Sequence, residues 1–376
     1  MLKFQKPTRA IAYYKNFQLN LLTGEKSQTS LESWMQTLHF ELYNHCEKNR
    51  FIHLFYECGY LFEEHSNLIN EDDLLALDLT YGLVTDFELN PSSKVIKLNL
   101  KEGPNFKDYE KKFNQGYREL LEGNCYQFNL TENFCYQFKD NYTPMDFLSK
   151  LWRDPSKRGA YASATFIGSM NKFFLSNSPE CLFQYEKGEL VTRPIKGTFK
   201  RQTHSIKETK YLWKKLINDK KSQAELYMIT DLMRNDLARI DLPNATVTKM
   251  KAPLIVPGLI HQYSEIKIHL RRHVSLKDIV IKMFPGGSIT GAPKKRVMGI
   301  LHTLENRTRG FYCGSTIVLA PKIAMASINI RSSVIDFITH ELSYQAGGGI
   351  TLLSTAENEF EELYLKHDSY LTLLTL

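Results

Sequence analysis

The stretch "IVLAPKIAMASINIRSSVIDFITHELSYQ", residues 317–345, decides the predicted fold. Its runs of β-branched and apolar residues are typical of strands, and short polar or proline-containing breaks separate them. Helices are predicted between groups of strands without a strict β-α-β alternation, which favours hairpin-connected, antiparallel pairing. We therefore expect an α+β fold in which antiparallel β-sheets are wrapped by helices.

Further elements are predicted on the N-terminal side of this stretch and after it. Strands are expected at 50–64, 94–100, 125–138, 172–178 and 180–193, and two copies of Cys-Tyr-Gln-Phe ten residues apart make 125–138 a predicted hairpin. Helices are expected at 30–46, 106–124, 204–219, 221–240, 292–305 and 357–374. A turn near residue 105 predicts an N-terminal α+β subdomain at 1–105 and a catalytic domain at 106–376.

The composition is that of a globular enzyme: 376 residues, 43% hydrophobic and 24% charged, with a net charge of +7. Because the basic groups are short and interrupted, we expect an anionic small molecule or an acidic protein surface rather than nucleic acid as the partner. The six cysteines show no metal-ligand spacing, which is typical of reduced thiols in the cytoplasm. The polar N-terminus predicts no signal peptide, and no apolar run suits a membrane span.

"VTRPIKGTFKR", residues 191–201, isolates one lysine, Lys196, between a proline and a glycine. It could be a surface charge, a phosphate ligand or a nucleophilic amine. Glu180 lies sixteen residues earlier, and a hairpin turning at Lys187 and Gly188 would bring it near the level of Lys196. For an unaided Lys–Glu couple, two charges at a rim remain the simpler interpretation.

Two glycine-rich segments raise the question of ligand binding. "FPGGSITGAPKKR", 284–296, has the glycine spacing of a phosphate loop, but Ala292 and Pro293 stand where that motif needs Lys and Ser or Thr. It is either a helix start that holds an anion or a tight turn. "AGGGI", 346–350, lets backbone amides approach a ligand closely. Ser354 and Glu357 then predict a capping box for the last helix.

Three glutamates are candidate metal ligands. Glu359 and Glu362 share one face of the last predicted helix, and Glu225 lies at the edge of the apolar face of helix 221–240. Carboxylates from two helices could converge on Mg²⁺, which takes oxygen ligands. Solvated charges are the alternative, and spacing alone does not decide between them.

The chain resembles the chorismate-utilising enzymes over about residues 106–367. The segments that carry this resemblance occur in the family's order: "YQFNLTENF", "SPECLF", "RPIKGT", "AELYMITDLMRNDLARI", "LIHQYSEI", "FPGGSITGAPKKRVMGIL", "FYCGS", "INIRSS" and "AGGGITLLSTAENEFEELYLK". The resemblance implies antiparallel sheets wrapped by helices, Mg²⁺ as cofactor and chorismate as substrate.

Two positions separate the subfamilies. Gln127 stands where isochorismate and salicylate synthases carry a water-activating lysine, and Lys196 stands where anthranilate synthases carry alanine. This pair resembles the subfamily that makes 4-amino-4-deoxychorismate for 4-aminobenzoate and folate. The sequence shows no glutaminase motif, so the resemblance implies ammonia from a separate glutamine amidotransferase subunit in a heterodimer. A separate lyase would then release pyruvate.

The resemblance also implies residue roles. Lys196 would attack ring carbon C2 once burial or a cationic neighbour has lowered its pKa, and Glu180 would protonate the departing 4-hydroxyl. Glu225 and Glu362 would bind Mg²⁺, with Glu359 as a third candidate. The implied substrate-binding positions are Gly197, Thr198, Tyr312, Arg331, Gly347, Gly348 and Gly349, with His261 and Lys366 close to the site.

Three other functions stay open. "IRSS" at 330–333 resembles anthranilate synthases equally well, so an activity like that of anthranilate synthase component I is the rival enzyme. A non-catalytic chorismate-binding or regulatory subunit is the second alternative, although every candidate catalytic residue is present. A nucleotide-binding module is the third, and the failed phosphate loop argues against it.

Overall fold

The computed structural model describes residues 1–42, 49–90, 92–203, 205–240, 245–256, 259–271, 273–321 and 323–375. The strands are β1 (Leu2–Tyr13), β2 (Phe17–Asn20), β3 (Lys26–Gln28), β4 (Asn49–Leu54), β5 (Ala76–Asp86), β6 (Asn99–Glu102), β7 (Gln127–Gln137), β8 (Ser163–Ile167), β9 (Lys172–Ser176), β10 (Cys181–Glu186), β11 (Glu189–Arg193), β12 (Ile195–Lys200), β13 (Thr246–Val256), β14 (Leu259–His269), β15 (Gly291–Ala292), β16 (Ser315–Ala320), β17 (Ile323–Ile328), β18 (Ser332–Asp336) and β19 (Glu341–Ile350). The helices are α1 (Leu31–Gln36), α2 (Gly59–Phe62), α3 (Phe106–Leu121), α4 (Pro144–Leu151), α5 (Ile206–Leu216), α6 (Lys220–Ala238), α7 (Leu276–Met283), α8 (Lys294–Glu305) and α9 (Ala356–Thr375).

The described strands form two antiparallel sheets. The larger runs β12-β14-β11-β10-β17-β16-β4-β5-β1-β2-β3, with β13 also paired to β14. The smaller runs β15-β7-β19-β18-β9-β8, with β6 also paired to β7. The predicted class, antiparallel sheets wrapped by helices, is confirmed.

Three apolar clusters hold these layers together. One lies between the larger sheet and helices α1, α6 and α7, and a second lies between the smaller sheet and helices α3, α4, α8 and α9. The third joins the two sheets, because it contains Phe51 and Leu79 from the larger sheet and Phe174 from the smaller one. Burial of apolar surface is the main force that stabilises such an arrangement. The sheets therefore face each other, with helices outside.

Several predicted elements are confirmed. Residues 317–345 lie in two antiparallel strand pairs, β16 with β17 in the larger sheet and β18 with β19 in the smaller one. The hairpin around Lys187 and Gly188 also forms: both residues have positive φ, and Glu186 pairs with Glu189 across the turn. Positive φ at both central residues matches the right-handed twist of hairpin strands.

The predicted hairpin at 125–138 is wrong. Residues 127–137 form the single strand β7, which pairs with β19 without interruption from Phe128 to Gln137. The intervening "NLTEN" contains neither glycine nor proline, and its alternation continues through both Cys-Tyr-Gln-Phe copies. A repeated tetrapeptide therefore marked two ends of one strand.

The predictions for the N-terminal region are partly wrong. Helix α1 ends at Gln36, so the described part of 37–46 is not α-helical, and residues 43–46 lie outside the described residues. The chain leaves the strand conformation after Leu54, since the Glu57 carboxylate accepts the backbone N–H groups of Arg309 and Gly310. At 94–100 only the last two residues belong to a strand, β6.

The last helix begins one residue later than its predicted cap requires. Thr355 Oγ1, rather than Ser354, accepts the N–H of Asn358, while Ser354 Oγ accepts the N–H of Thr351. The predicted Ser354–Glu357 capping box is therefore wrong, although the helix itself is confirmed.

The larger sheet continues across the predicted domain boundary at residue 105. Strand β4 pairs with β16 over five residue pairs, from Arg50 with Leu319 to Leu54 with Ser315. The division into 1–105 and 106–376 stays a prediction. The five described cysteines form no disulfide, and Cys46 lies outside the described residues. In the described ranges of the chain, no helix has both the length and the apolar character that crossing a membrane requires.

Candidate active site

Lys196 lies on β12, an edge strand of the larger sheet, directly opposite Gln262 of β14. A bulge follows it, where Gly197 adopts a φ of +74° and a Cβ would lie 2.8 Å from the Ser222 Cβ of α6. Only glycine tolerates both conditions. The side chain of Lys196 forms no hydrogen bond or ion pair with the described residues. Its amine is therefore positioned by the backbone and left free of protein partners there.

Glu180 is buried next to this lysine. The hairpin of β10 and β11 brings the two residues together, and Glu180 is only 5% exposed. Burial raises the pKa of Glu180, while the Ser288 hydroxyl and the positive charges of Lys196 and Lys366 act in the opposite direction. Its Oε1 has no hydrogen-bond partner among the described residues. The Glu180 carboxyl is thus a candidate proton donor in the same region of the protein as the Lys196 amine.

Helices α6 and α9 bring three carboxylates to the same region. Lys221 Nζ lies 2.5 Å from Glu359 Oε1 and 3.8 Å from Glu225 Oε1, so one ammonium links the two helices. Burial raises the pKa of Glu225, and the neighbouring Glu362 and Glu359 add to this rise. Lys366, 2.8 Å from Glu362, is the largest cause that lowers the pKa of Glu362 to about 2.

These carboxylates fit a hard divalent cation. Glu359 is 1% exposed, and its Oε2 has no hydrogen-bond partner among the described residues. A Cβ on Gly348 would lie 3.1 Å from that oxygen and 3.9 Å from Glu362 Oε1. Oxygen donors from Glu359 and Glu362 therefore face the same point of β19, the type of donor that Mg²⁺ prefers. In the described part of the chain no three His, Cys, Asp or Glu side chains form a compact metal-binding group, because lysines lie between the carboxylates.

The three glycines of β19 let neighbouring side chains lie close to the strand backbone on more than one side. Lys366 Nζ donates a hydrogen bond of 2.7 Å to Gly347 O. A Cβ on Gly349 would lie 2.3 Å from Gln127 Nε2, so this glycine makes room for the Gln127 side chain. Gln127 is fully buried, and both atoms of its carboxamide lack a partner among the described residues.

A second group of predicted residues surrounds Arg331. Thr198 Oγ1 lies 2.8 Å from His261 Nδ1, and burial, followed by the charge of Arg331, lowers the pKa of His261 to about 4. Arg331 has a φ of +49° and forms no ion pair within the described residues, and burial lowers its pKa. A partly buried guanidinium without a carboxylate suits an anionic ligand. Tyr312 instead lies in the core of the larger sheet, 7% exposed.

Sequence reasoning missed two side chains at the site. Lys221 precedes Glu225 by one helical turn, an i,i+4 spacing that was readable from the sequence. Gln262 occupies a core-facing position of β14 between the buried Ile260 and Ser264. A polar residue inside an apolar alternation was the available signal.

The chain belongs to the family described as chorismate binding enzyme, which matches residues 4–372. It is 36% identical over 262 residues to aminodeoxychorismate synthase component 1 of Salmonella typhimurium, covering 69% of this chain and 56% of that protein. It is 32% identical over 279 residues to anthranilate synthase component 1 of Aquifex aeolicus, covering 70% of this chain and 54% of that protein. The chain thus spans little more than half the length of these curated relatives.

Solved structures share the fold. The crystal structure of anthranilate synthase component I from Streptococcus pneumoniae matches with a TM-score of 0.81 at 20% identity, covering 98% of this chain and 91% of that one. A putative 2,3-dihydroxybenzoate-specific isochorismate synthase from Bacillus anthracis matches with a TM-score of 0.75 at 15% identity, covering 99% and 93%. At these identities the likeness extends to the fold alone.

Proposed function

We propose that this chain is the chorismate-aminating component of an aminodeoxychorismate synthase, converting chorismate and ammonia into 4-amino-4-deoxychorismate. One observation carries the proposal: Lys196, without a partner among the described residues, lies beside the buried carboxyl of Glu180. The family and the similarity to curated aminodeoxychorismate synthases support chorismate as the substrate.

In the proposed first step the neutral amine of Lys196 bonds to ring carbon C2 while the C4–oxygen bond breaks and the ring double bonds shift. Glu180 donates its proton to the departing hydroxyl, which leaves as water. The raised pKa of Glu180 favours the protonated form that this step needs. Ammonia then bonds to C4, the C2–nitrogen bond breaks, and Lys196 returns as a neutral amine. The new ammonium group at C4 releases one proton, which restores the protonated form of Glu180.

Cationic side chains and backbone amides would bind the substrate. Chorismate carries two carboxylates, and Arg331 offers a guanidinium that no described carboxylate neutralises. A second anionic group would approach the backbone of Gly347, Gly348 and Gly349, which carries no side chains of its own and lies beside Lys366. His261, whose pKa burial lowers to about 4, is a neutral hydrogen-bonding group at ordinary pH.

Glu225, Glu359 and Glu362 would hold Mg²⁺, which supplies positive charge to the carboxylate on the ring. Glu359 is the least exposed of the three, and its Oε2 has no hydrogen-bond partner in the part of the chain that the structure describes. Lys221 and Lys366 meanwhile balance the negative charge of this cluster. Ammonia would come from a separate glutamine amidotransferase subunit, and a separate lyase would release pyruvate from the product in the cytoplasm.

The test is incubation of purified protein with chorismate, Mg²⁺ and ammonium, followed by product identification by mass. We expect aminodeoxychorismate without pyruvate from wild type, and loss of amination in Lys196→Ala. Lys200→Ala, at an exposed position of the same strand, is the matched control and should keep full activity.

Other products discriminate between the alternatives. Anthranilate with pyruvate from wild type would replace the proposal with an anthranilate synthase activity. Binding of chorismate without turnover would favour a regulatory subunit. Undiminished amination in Lys196→Ala would remove the lysine from the mechanism.

A further inference from the structure

The side chain of Gln262 is buried beside Lys196 and makes no hydrogen bond. It is 0% exposed, and both Oε1 and Nε2 lack partners among the described residues. Leaving a buried polar group without a hydrogen bond destabilises the folded state. A leucine or methionine at this position would avoid that cost, so the carboxamide reduces the stability of the protein unless a ligand satisfies it.

The strand register aims this carboxamide at the lysine. Lys196 and Gln262 are directly opposed in the antiparallel pair of β12 and β14, and opposed residues project from the same face of a sheet. The next pair along the ladder, Thr198 and His261, shows this geometry, since their side chains are 2.8 Å apart. The two side chains therefore emerge next to each other.

Helix α6 encloses the pair. Its first turn packs on the bulge after Lys196, where a Cβ on Gly197 would lie 2.8 Å from Ser222 Cβ. Further along α6, Thr230 Oγ1 lies 2.9 Å from Ser264 Oγ of β14. The turn of α6 between these contacts carries Glu225, and Gln262 lies on β14 between the same two levels, on the face that α6 covers. The carboxamide therefore faces the helix that carries Glu225.

We infer that Gln262 is a positioning residue for Lys196. Its Oε1 accepts one N–H of the lysine amine, so that the nitrogen lone pair is directed at ring carbon C2 when chorismate is bound. Its Nε2 then remains available to a substrate oxygen. Gln262 gains and loses no proton, and the bonds made and broken are those of the step given above. The inference rests on the proposed function.

Gln262→Met tests this role, because methionine is close to glutamine in length but offers no strong acceptor. We expect kcat to fall by about tenfold or more, with a smaller change in KM for chorismate. Formation of the Lys196–chorismate adduct, measured by mass after quenching in the absence of ammonia, should slow by the same factor. The midpoint of thermal unfolding should stay equal or rise, because an unsatisfied amide is removed. Gln262→Asn, which keeps a shorter carboxamide, should recover part of kcat.

Ser264→Ala is the matched control on the same face of the same strand. Thr230 loses its partner there, so stability should fall while kcat stays within about twofold of wild type. Wild-type kcat in Gln262→Met would overturn the inference, and so would unfolding of that variant, which would indicate a structural role. Absence of turnover in the wild type itself would instead count against the proposed function.

Discussion

His53 should make the free energy of unfolding depend strongly on pH. It bridges the two sheets: its Nδ1 lies 2.9 Å from Thr316 Oγ1 of the larger sheet, and its Nε2 lies 2.9 Å from Thr165 Oγ1 of the smaller one. Complete burial lowers the pKa of His53 to about 3. The unfolded chain, with a histidine pKa of about 6.5, therefore binds a proton that the folded protein does not bind.

The sign and size of the pH effect on the free energy of unfolding follow from this difference between the folded-state and unfolded-state pKa of His53. The folded-state pKa is below the unfolded one, so this contribution is complete above about pH 6.5 and is lost as pH falls toward about 3. At about pH 5 the pH lies about 1.5 units below the unfolded-state pKa, and at 1.36 kcal/mol per unit the loss is about 2 kcal/mol. This value changes little as long as the folded-state pKa stays well below 5.

The assay is urea denaturation of wild type and His53→Gln at about pH 8 and about pH 5. Glutamine cannot take up the proton, so the loss of unfolding free energy between the two pH values should be about 2 kcal/mol smaller in the variant than in wild type. A lower stability of the variant at both pH values does not affect this comparison. An equal pH dependence in wild type and His53→Gln would refute the reasoning.

Three further predictions test the site and the fold. Gly348→Ala places a Cβ 3.1 Å from Glu359 Oε2, a contact that the folded protein should tolerate. The Mg²⁺ dissociation constant, measured by calorimetry, should rise by about tenfold. An unchanged dissociation constant would show that Gly348 does not border the metal site. Arg331→Met should raise KM for chorismate by about 10–100-fold, the value of one or two charge-assisted hydrogen bonds, without lowering the unfolding midpoint; lost stability with normal KM would contradict this. Burial alone would raise the pKa of Asp78, but hydrogen bonds and charge from Arg50 hold it below its usual value. Asp78→Asn should therefore lower the free energy of unfolding, measured by chemical denaturation, by about 3–5 kcal/mol. A decrease of less than about 1 kcal/mol would exclude a structural ion pair.

The local elements of the fold were predictable from the sequence. Alternation in 317–345 predicted neighbouring strands, and Lys187 with Gly188 predicted the turn that carries Glu180 back toward Lys196. The period of the helix placed Glu359 and Glu362 on one face. The ordered segments indicated the family before any geometry was known, and residues 4–372 match it.

Pairings between distant residues depended on the tertiary structure. The repeat in 125–138 suggested a hairpin, yet β7 is continuous because β19 offers it a full-length partner. Whether Glu225 approaches Glu359 depends on how α6 and α9 pack. The i,i+4 spacing of Lys221 and Glu225 was readable along α6, but the contact of Lys221 with Glu359 on another helix was not.

Lys196 illustrates what the sequence determined about the site and what only the tertiary structure determined. The sequence by itself determined that Lys196 lies between Pro194 and Gly197, and it left a surface charge, a phosphate ligand and a nucleophile open as roles. The strand β12, with a bulge after Lys196, came from the structure. The buried Glu180 on one side and the unsatisfied Gln262 on the other came only from tertiary structure. Local periodicity determines which residues alternate along a strand, but the register with a distant strand determines which side chains meet, and a slip of one residue would turn each of them to the opposite face.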